Sequence, residues 1–189
     1  MRQLRSAFCF HIGEERLRRC DNLRLCDELG GGALLDVGCY SVSLARWLLG
    51  AEPELVQAQA RYNAHGIDIH FAGLMRFPGD VLASLEASFI CALQQTYTVV
   101  GERGAIELPH DAFIPWEREA AFRVRGCHDE HGERLCLPAA DQYQLMVEHF
   151  ADALRGKTPL IVPPEESVLN MKVLDALARA ARTGESVRV

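Results

Sequence analysis

The sequence predicts an α+β domain in which an open-faced, mostly antiparallel β-sheet carries helices packed on one face. Two observations predict it. Between residues 54 and 108, apolar and polar residues alternate with the period of two that a half-buried strand imposes, in runs punctuated by His65-Gly66, Pro78-Gly79 and Gln94-Gln95. On both sides of that block, at about 35–49, 141–154 and 163–182, the apolar period lengthens to that of a helix. The alternation also says that the sheet has two unlike faces. Val81, Ala83, Leu85, Ala87 and Phe89 fall on one side, while Leu82, Ser84, Glu86 and Ser88 fall on the other.

Residues 2–12 read as the first strand, with Leu4, Ser6, Phe8 and Phe10 on one face, Arg5, Ala7, Cys9 and His11 on the other, and His11 at the surface. Residues 14–26 are charged and poorly periodic, a loop or short helix leading into three consecutive glycines. The stretch 30–50, GGGALLDVGCYSVSLARWLLG, is then a glycine turn followed by a helix from about Leu35, stopped by Gly50. Val37, Leu44, Trp47, Leu48 and Leu49 form its core-facing stripe, and the helix is expected at the edge or back of the sheet. Strands follow at 54–62, 68–77, 81–90 and 96–101, with a short one at 105–108, as successive antiparallel neighbours. Residues 121–125 and 134–137 are weaker strand patterns flanking the polar turn CHDEHGERLC, 127–136. Cys127, His128, His131 and Cys136 are zinc-binding types, but their spacing fits no standard site, so the stretch reads as a hairpin turn and no metal ligand is assigned. Residues 141–154, with Tyr143, Met146, Val147, Phe150 and Leu154 at helical spacing, and 163–182, with Val168, Met171, Val173, Leu174 and Leu177, are expected to form core. His149, beside the first of these stripes, reads as a packed residue.

At 189 residues the chain is expected to be a single domain, 1–189, with a sizeable core. Its formal charge of −6 argues against a nucleic-acid partner, and no apolar run is long enough to span a membrane. The N-terminal apolar patch lacks a cleavage signal, and the seven cysteines are odd in number and scattered, which fits reduced thiols. A cytoplasmic protein is expected.

Asp36 and Tyr40 are the residues on which chemistry is plausible. Four residues apart on a helix, they place a carboxylate and a phenol on one face of its first turns, where the helix N-terminus favours negative charge. The same two residues also suit a helix cap and a packed aromatic ring.

The stretch 21–53, DNLRLCDELGGGALLDVGCYSVSLARWLLGAEP, resembles the C-terminal domain of the Gfo/Idh/MocA oxidoreductases, which include glucose-fructose oxidoreductase, inositol dehydrogenase and dihydrodiol dehydrogenase. The likeness continues in the family's order through FAGLMRFPGDVLASLEASF (71–89), VVGERGAIELP (99–109) and PPEESVLNMKVLDALARAARTGESVRV (163–189). The resemblance implies catalytic roles for Asp36 and Tyr40: Tyr40 as the proton-transfer group and Asp36 as the residue that orients the substrate. It makes Asn22 and Arg24 candidates to bind a small polyhydroxy substrate, a sugar or cyclitol; solvated or structural ion-pair roles suit them equally. It also implies that the open sheet face pairs subunits into a homo-oligomer or rests on another chain, although such a face also tolerates water.

The family's nucleotide-binding Rossmann domain and its Glu-Lys-Pro motif are not found here. Gly30–Gly32 follows no strand and lacks G-x-G-x-x-G spacing, so no cofactor-binding residue is assigned. The only lysines, Lys157 and Lys172, lie in the closing helical region, far along the chain from Asp36 and in no Glu-Lys-Pro context. NAD or NADP is implied for the complete family enzyme and none for this chain alone, which is expected to be inactive in isolation. Two readings follow. The chain is the substrate-binding part of an NAD(P)-dependent oxidoreductase whose Rossmann half is absent or supplied as a separate Rossmann-domain chain, or it is a non-catalytic, sheet-mediated assembly or small-molecule binding module.

Overall fold

The computed structural model describes residues 1–19, 22–114 and 118–189. In chain order the elements are β1 (Gln3–His11), α1 (Glu14–Arg18), two 3-10 turns (Leu23–Leu25 and Asp27–Leu29), a π-helical turn (Leu34–Gly38), α2 (Cys39–Leu49), β2 (Leu55–Tyr62), β3 (Asp68–Phe77), β4 (Val81–Ser88), β5 (Ile90–Val100), β6 (Gly104–Leu108), β7 (Ala120–Gly126), β8 (Glu133–Leu137), α3 (Gln142–Leu154), α4 (Pro164–Thr183) and β9 (Val187–Arg188). Among the described residues the strands form one sheet in the order β8-β7-β6-β5-β1-β4-β3-β2-β9.

The β2–β3–β4 meander follows from its turn residues: Gly66 and Gly79 adopt the positive φ that a tight reversal needs. β1 then inserts between β4 and β5, parallel to β4 with Leu4 opposite Ala83 and Phe8 opposite Ala87, and antiparallel to β5. The remaining neighbours are antiparallel, so the α+β, mostly antiparallel expectation holds. Period-two alternation decides which side is buried. Leu4, Phe8, Phe71, Met75, Phe77, Ala83 and Leu85 close against Val42 and Ala45 of α2 and Val173, Leu174 and Leu177 of α4. Leu74 and Leu82 stand exposed on the opposite face. No helix among the described residues is long and apolar enough to cross a membrane.

Several elements depart from the expectation. The Gln94-Gln95 turn and the separate strand at 96–101 are replaced by the single strand β5, and the chain reverses at Phe89 instead. Gln95 is an anchor: it is buried, its backbone carbonyl accepts from Ala112 N at 3.0 Å, and its side-chain carbonyl accepts from Ile114 N at 3.0 Å. The glycine-led helix packs on the back of the sheet, over its centre near β1, β3 and β4. Its stripe is rotated: Val37, Val42 and Ala45 are buried, Leu44, Leu48 and Leu49 are half-buried, and Trp47 points outward. In α4, Val168 and Met171 are exposed, and Ala176 and Ala180 join Val173, Leu174 and Leu177 in the core. α3 forms no core at all, since none of its residues is buried.

The stretch after β1 contains α1 and the two 3-10 turns; Cys20 and Asp21 within it lie outside the described residues, as do residues 115–117. The six described cysteines form no disulfide. In the 127–136 turn the Asp129 carboxylate accepts from His131 N at 2.9 Å and Gly132 N at 3.0 Å, an Asx turn closing the β7–β8 hairpin. His11 is exposed, and His149 accepts from Ile161 N at 3.1 Å.

Candidate functional site

The glycines shape the entry to α2. The chain at 24–26 runs directly beneath them: Gly31 N donates to Cys26 O and Gly32 N to Arg24 O, each at 2.9 Å, and a Cβ on Gly31 would stand 2.8 Å from both of those carbonyl oxygens. Gly32 has φ +122°, and a Cβ there would collide with the Asp68 carboxylate at 2.1 Å. Only glycine fits both positions. Asp68, the first residue of β3, uses that space to cap the helix from a distant strand. Its Oδ2 accepts from Leu34 N at 2.8 Å, at the end of the helix where donors are unpaired and the dipole is positive. Burial pushes the Asp68 carboxyl up to about 6, against the lowering effect of the Leu34 and Ala33 amides and of Arg182.

From this cap the chain enters the π-helical turn, a wider turn that recurs at functional sites. Asp36 lies in it, and its Oδ2 accepts from Arg24 Nε at 2.8 Å, with the carboxylate largely covered and the guanidinium more open. Asn22 acts on Arg24 through the backbone: its Oδ1 accepts from Arg24 N at 3.0 Å, capping the first 3-10 turn and setting the loop that presents the guanidinium.

Tyr40 follows in the first turn of α2, 45% exposed, its ring 5.6 Å from Phe8 and 6.1 Å from Phe113. Phe113 is delivered by the loop that Gln95 anchors and stacks on Phe8 at 5.3 Å. Partial burial, then Cys39, Tyr143 and Asp36, raise the Tyr40 phenol above its ordinary value, and Arg24 pulls the other way. Tyr40 is therefore a protonated group at neutral pH, in electrostatic reach of Asp36 and Arg24. Asn170 of α4 donates to Cys39 O at 3.4 Å, and the buried Arg46 ties α2 to Glu52 at 2.6 and 2.7 Å and to Glu166 at 2.9 Å.

The structure thus brings Asp36, Arg24 and Tyr40 together, with Asn22 holding the Arg24 turn. Asp68, Phe8, Phe113 and Tyr143 were not legible as part of this surface. Asp68 touches Gly32 across 36 positions of sequence with no local pattern to announce it, and Phe113 lies where the strand pattern was faintest. The glycine turn does not fit a dinucleotide phosphate. The Gly30, Gly31, Gly32 and Leu34 amides are spent on Asp27, Cys26, Arg24 and Asp68, and the last of these is itself a carboxylate.

The Rhizobium meliloti oxidoreductase ORF334 is 35% identical over 166 residues, covering 83% of this chain and 48% of that protein. The D-xylose 1-dehydrogenase (NADP(+)) 2 of Haloferax volcanii is 32% identical over 170 residues, covering 89% and 51%. Among solved structures, the aldose-aldose oxidoreductase from Caulobacter crescentus complexed with glycerol superposes with TM-score 0.79 at 25% identity, covering all of this chain and 55% of that one. A 3-ketoreductase from Actinomadura kijaniata, in complex with NADP and TDP-benzene, has TM-score 0.83 at 24% identity and covers 95% and 53%, a likeness of fold. The chain spans about half the length of the relatives it matches. Residues 1–107, from β1 through most of β6 and including the glycine turn, Asp36 and Tyr40, match the GFO/IDH/MocA C-terminal domain, and the chain belongs to that oxidoreductase family.

Proposed function

We propose that this chain is the substrate-binding side of an NAD(P)-dependent oxidoreductase acting on a sugar, a cyclitol or a similar polyhydroxy compound. The observation that carries this reading is the Arg24–Asp36 ion pair set beside the half-exposed, protonated Tyr40. The relatives that act on D-xylose and on a dTDP-linked deoxysugar support the substrate class. Tyr40 gives its proton to a carbonyl oxygen when the substrate carbon is reduced and takes the hydroxyl proton when it is oxidised. Asp36, turned by Arg24, accepts from a neighbouring hydroxyl. Arg24 binds oxygen through guanidinium nitrogens other than the Nε held by Asp36, and Asn22 binds through its amide nitrogen. NAD or NADP would supply the hydride, and its binding belongs to a half outside this chain, so the chain alone turns over nothing. The open sheet face pairs two copies, with Leu74 and Leu82 at the contact.

The test joins this chain to the unmatched half of ORF334, in place of that protein's own matched half, and assays NADP-linked oxidation of D-xylose and other aldoses. Tyr40→Phe removes only the proton-transfer oxygen and lowers kcat by about 100-fold or more, the usual share of general acid–base catalysis, with nucleotide binding unchanged. Full activity in Tyr40→Phe would sink the reading.

A further inference from the structure

β1 and β5 do not stay in step to their ends. Cys9 faces Gln94 and His11 faces Ile90, so residues 91–93 of β5 stand opposite Phe10 alone, a bulge of two extra residues. A bulge re-aims side chains out of the regular alternation, and this one sets Cys91 against Cys9: the two thiols are in hydrogen-bond contact. They lie 82 positions apart in sequence, so no local pattern pairs them. Both are free thiols in the structure.

The two differ in access. Cys9 is 1% exposed, and burial, then Cys91 and Glu86, push its thiol up to about 12, so it stays protonated beneath the surface. Cys91 is half-buried and is the sulfur that an oxidant in solution meets first. A reachable sulfur with a covered thiol already against it is the arrangement of a reactive cysteine beside a resolving one. A disulfide needs side chains that face each other across a short gap, and two paired strands hold these in place. Cys9 lies opposite Ser88, at the far end of β4 from Leu82, where copies are proposed to meet, so that pairing leaves Cys91 open.

We propose that Cys9 and Cys91 are a thiol modification site, a cross-strand pair that hydrogen peroxide converts reversibly to a disulfide. The Cys91 sulfur attacks the O–O bond and becomes a sulfenic acid, releasing one water. Cys9 then attacks that sulfur: the S–S bond forms as the S–O bond breaks, and the Cys9 proton leaves with the hydroxyl as a second water. The two thiols together lose two electrons, and the peroxide gains them. The disulfide ties β1 to β5 beside Phe8, whose ring lies against Tyr40, and beside Gln95, which anchors the loop carrying Phe113. Oxidation therefore stiffens the strands beneath that surface, whatever substrate it takes.

Peptide mapping by mass spectrometry tests this on the whole chain, reduced, treated with hydrogen peroxide and alkylated in urea. A peptide linking Cys9 to Cys91 within one chain should appear on treatment and disappear with dithiothreitol. Cys9→Ala should leave Cys91 as a sulfenic acid that dimedone captures, and Cys91→Ala should leave Cys9 unmodified. The wild-type map decides even where a variant does not fold. Cys91 carried on to sulfinic acid without a linked peptide, a link from Cys9 to another cysteine, a link only between chains, or both thiols surviving unchanged would each overturn the proposal. Hydrogen exchange of the amides at 90–95 should slow by about tenfold in the linked chain. Linking without that slowing upholds the modification site and overturns its reach to the Tyr40 surface.

Discussion

Asp68 caps the entry to α2 beside Gly32, and its carboxyl is sensitive to pH. Its carboxyl is raised to about 6 by burial, above its value of about 3.9 in an unfolded chain. A group raised in the folded state contributes stability that is fully present below its unfolded pKa and lost as pH rises through its folded pKa. Its window is therefore pH 4 to 6, and the loss is on the order of 2–3 kcal/mol. Asp68→Asn keeps an acceptor for the Leu34 amide and cannot ionise. Urea unfolding at pH 4 and pH 7 should show this loss in the wild type and not in Asp68→Asn; an equal loss in both would contradict the assignment. Helical spacing singles out Asp36 and Tyr40 in the sequence and the family resemblance adds Arg24 and Asn22, all within one short stretch. The sequence could not show Asp68 meeting Gly32, or Gln95 carrying Phe113 to Tyr40, because those contacts depend on how strands are ordered in the sheet, which period-two alternation does not specify.

Among the elements, α2 joins site and scaffold. Its entry is held by Asp68, its first turn by Asn170, and its last turn by Arg46, which is 5% exposed and reaches Glu52 and Glu166. Because both glutamates remain partly in water, removing the arginine costs chiefly its charge-assisted hydrogen bonds. Arg46→Met should destabilise the fold by about 2 kcal/mol, read as a lower urea midpoint with an unchanged slope; a midpoint equal to wild type would show that the α2–α4 tie is superfluous. The meander β2–β3–β4 was legible because alternation and turn glycines agree there. Two adjacent glutamines resemble a turn in sequence, yet Gln94 and Gln95 sit within β5 opposite Cys9 and Phe8. Periodicity identifies the α3 stripe as an apolar face without identifying what covers it, and in the structure none of its residues is buried.

The whole molecule has two unlike sides. One is the open sheet, where Leu74 and Leu82 stand among Arg5, Ser84 and Glu86, a polar surface with an apolar centre of the kind that pairs copies. Sedimentation at micromolar concentration should find a dimer that Leu74→Glu with Leu82→Glu dissociates; a wild-type monomer would count against pairing through this face. The other side carries α2, α4 and Tyr40, with the proposed substrate-binding groups beside a glycine turn whose amides are already spent within the chain. The division of labour between this chain and a nucleotide-binding half is best tested by titrating NADPH, followed by its fluorescence, into the chain alone and into the chain joined to the unmatched half of ORF334. No saturation up to about 1 mM for the chain alone, and a micromolar Kd for the joined protein, is the predicted result. Micromolar binding by the chain alone would contradict it.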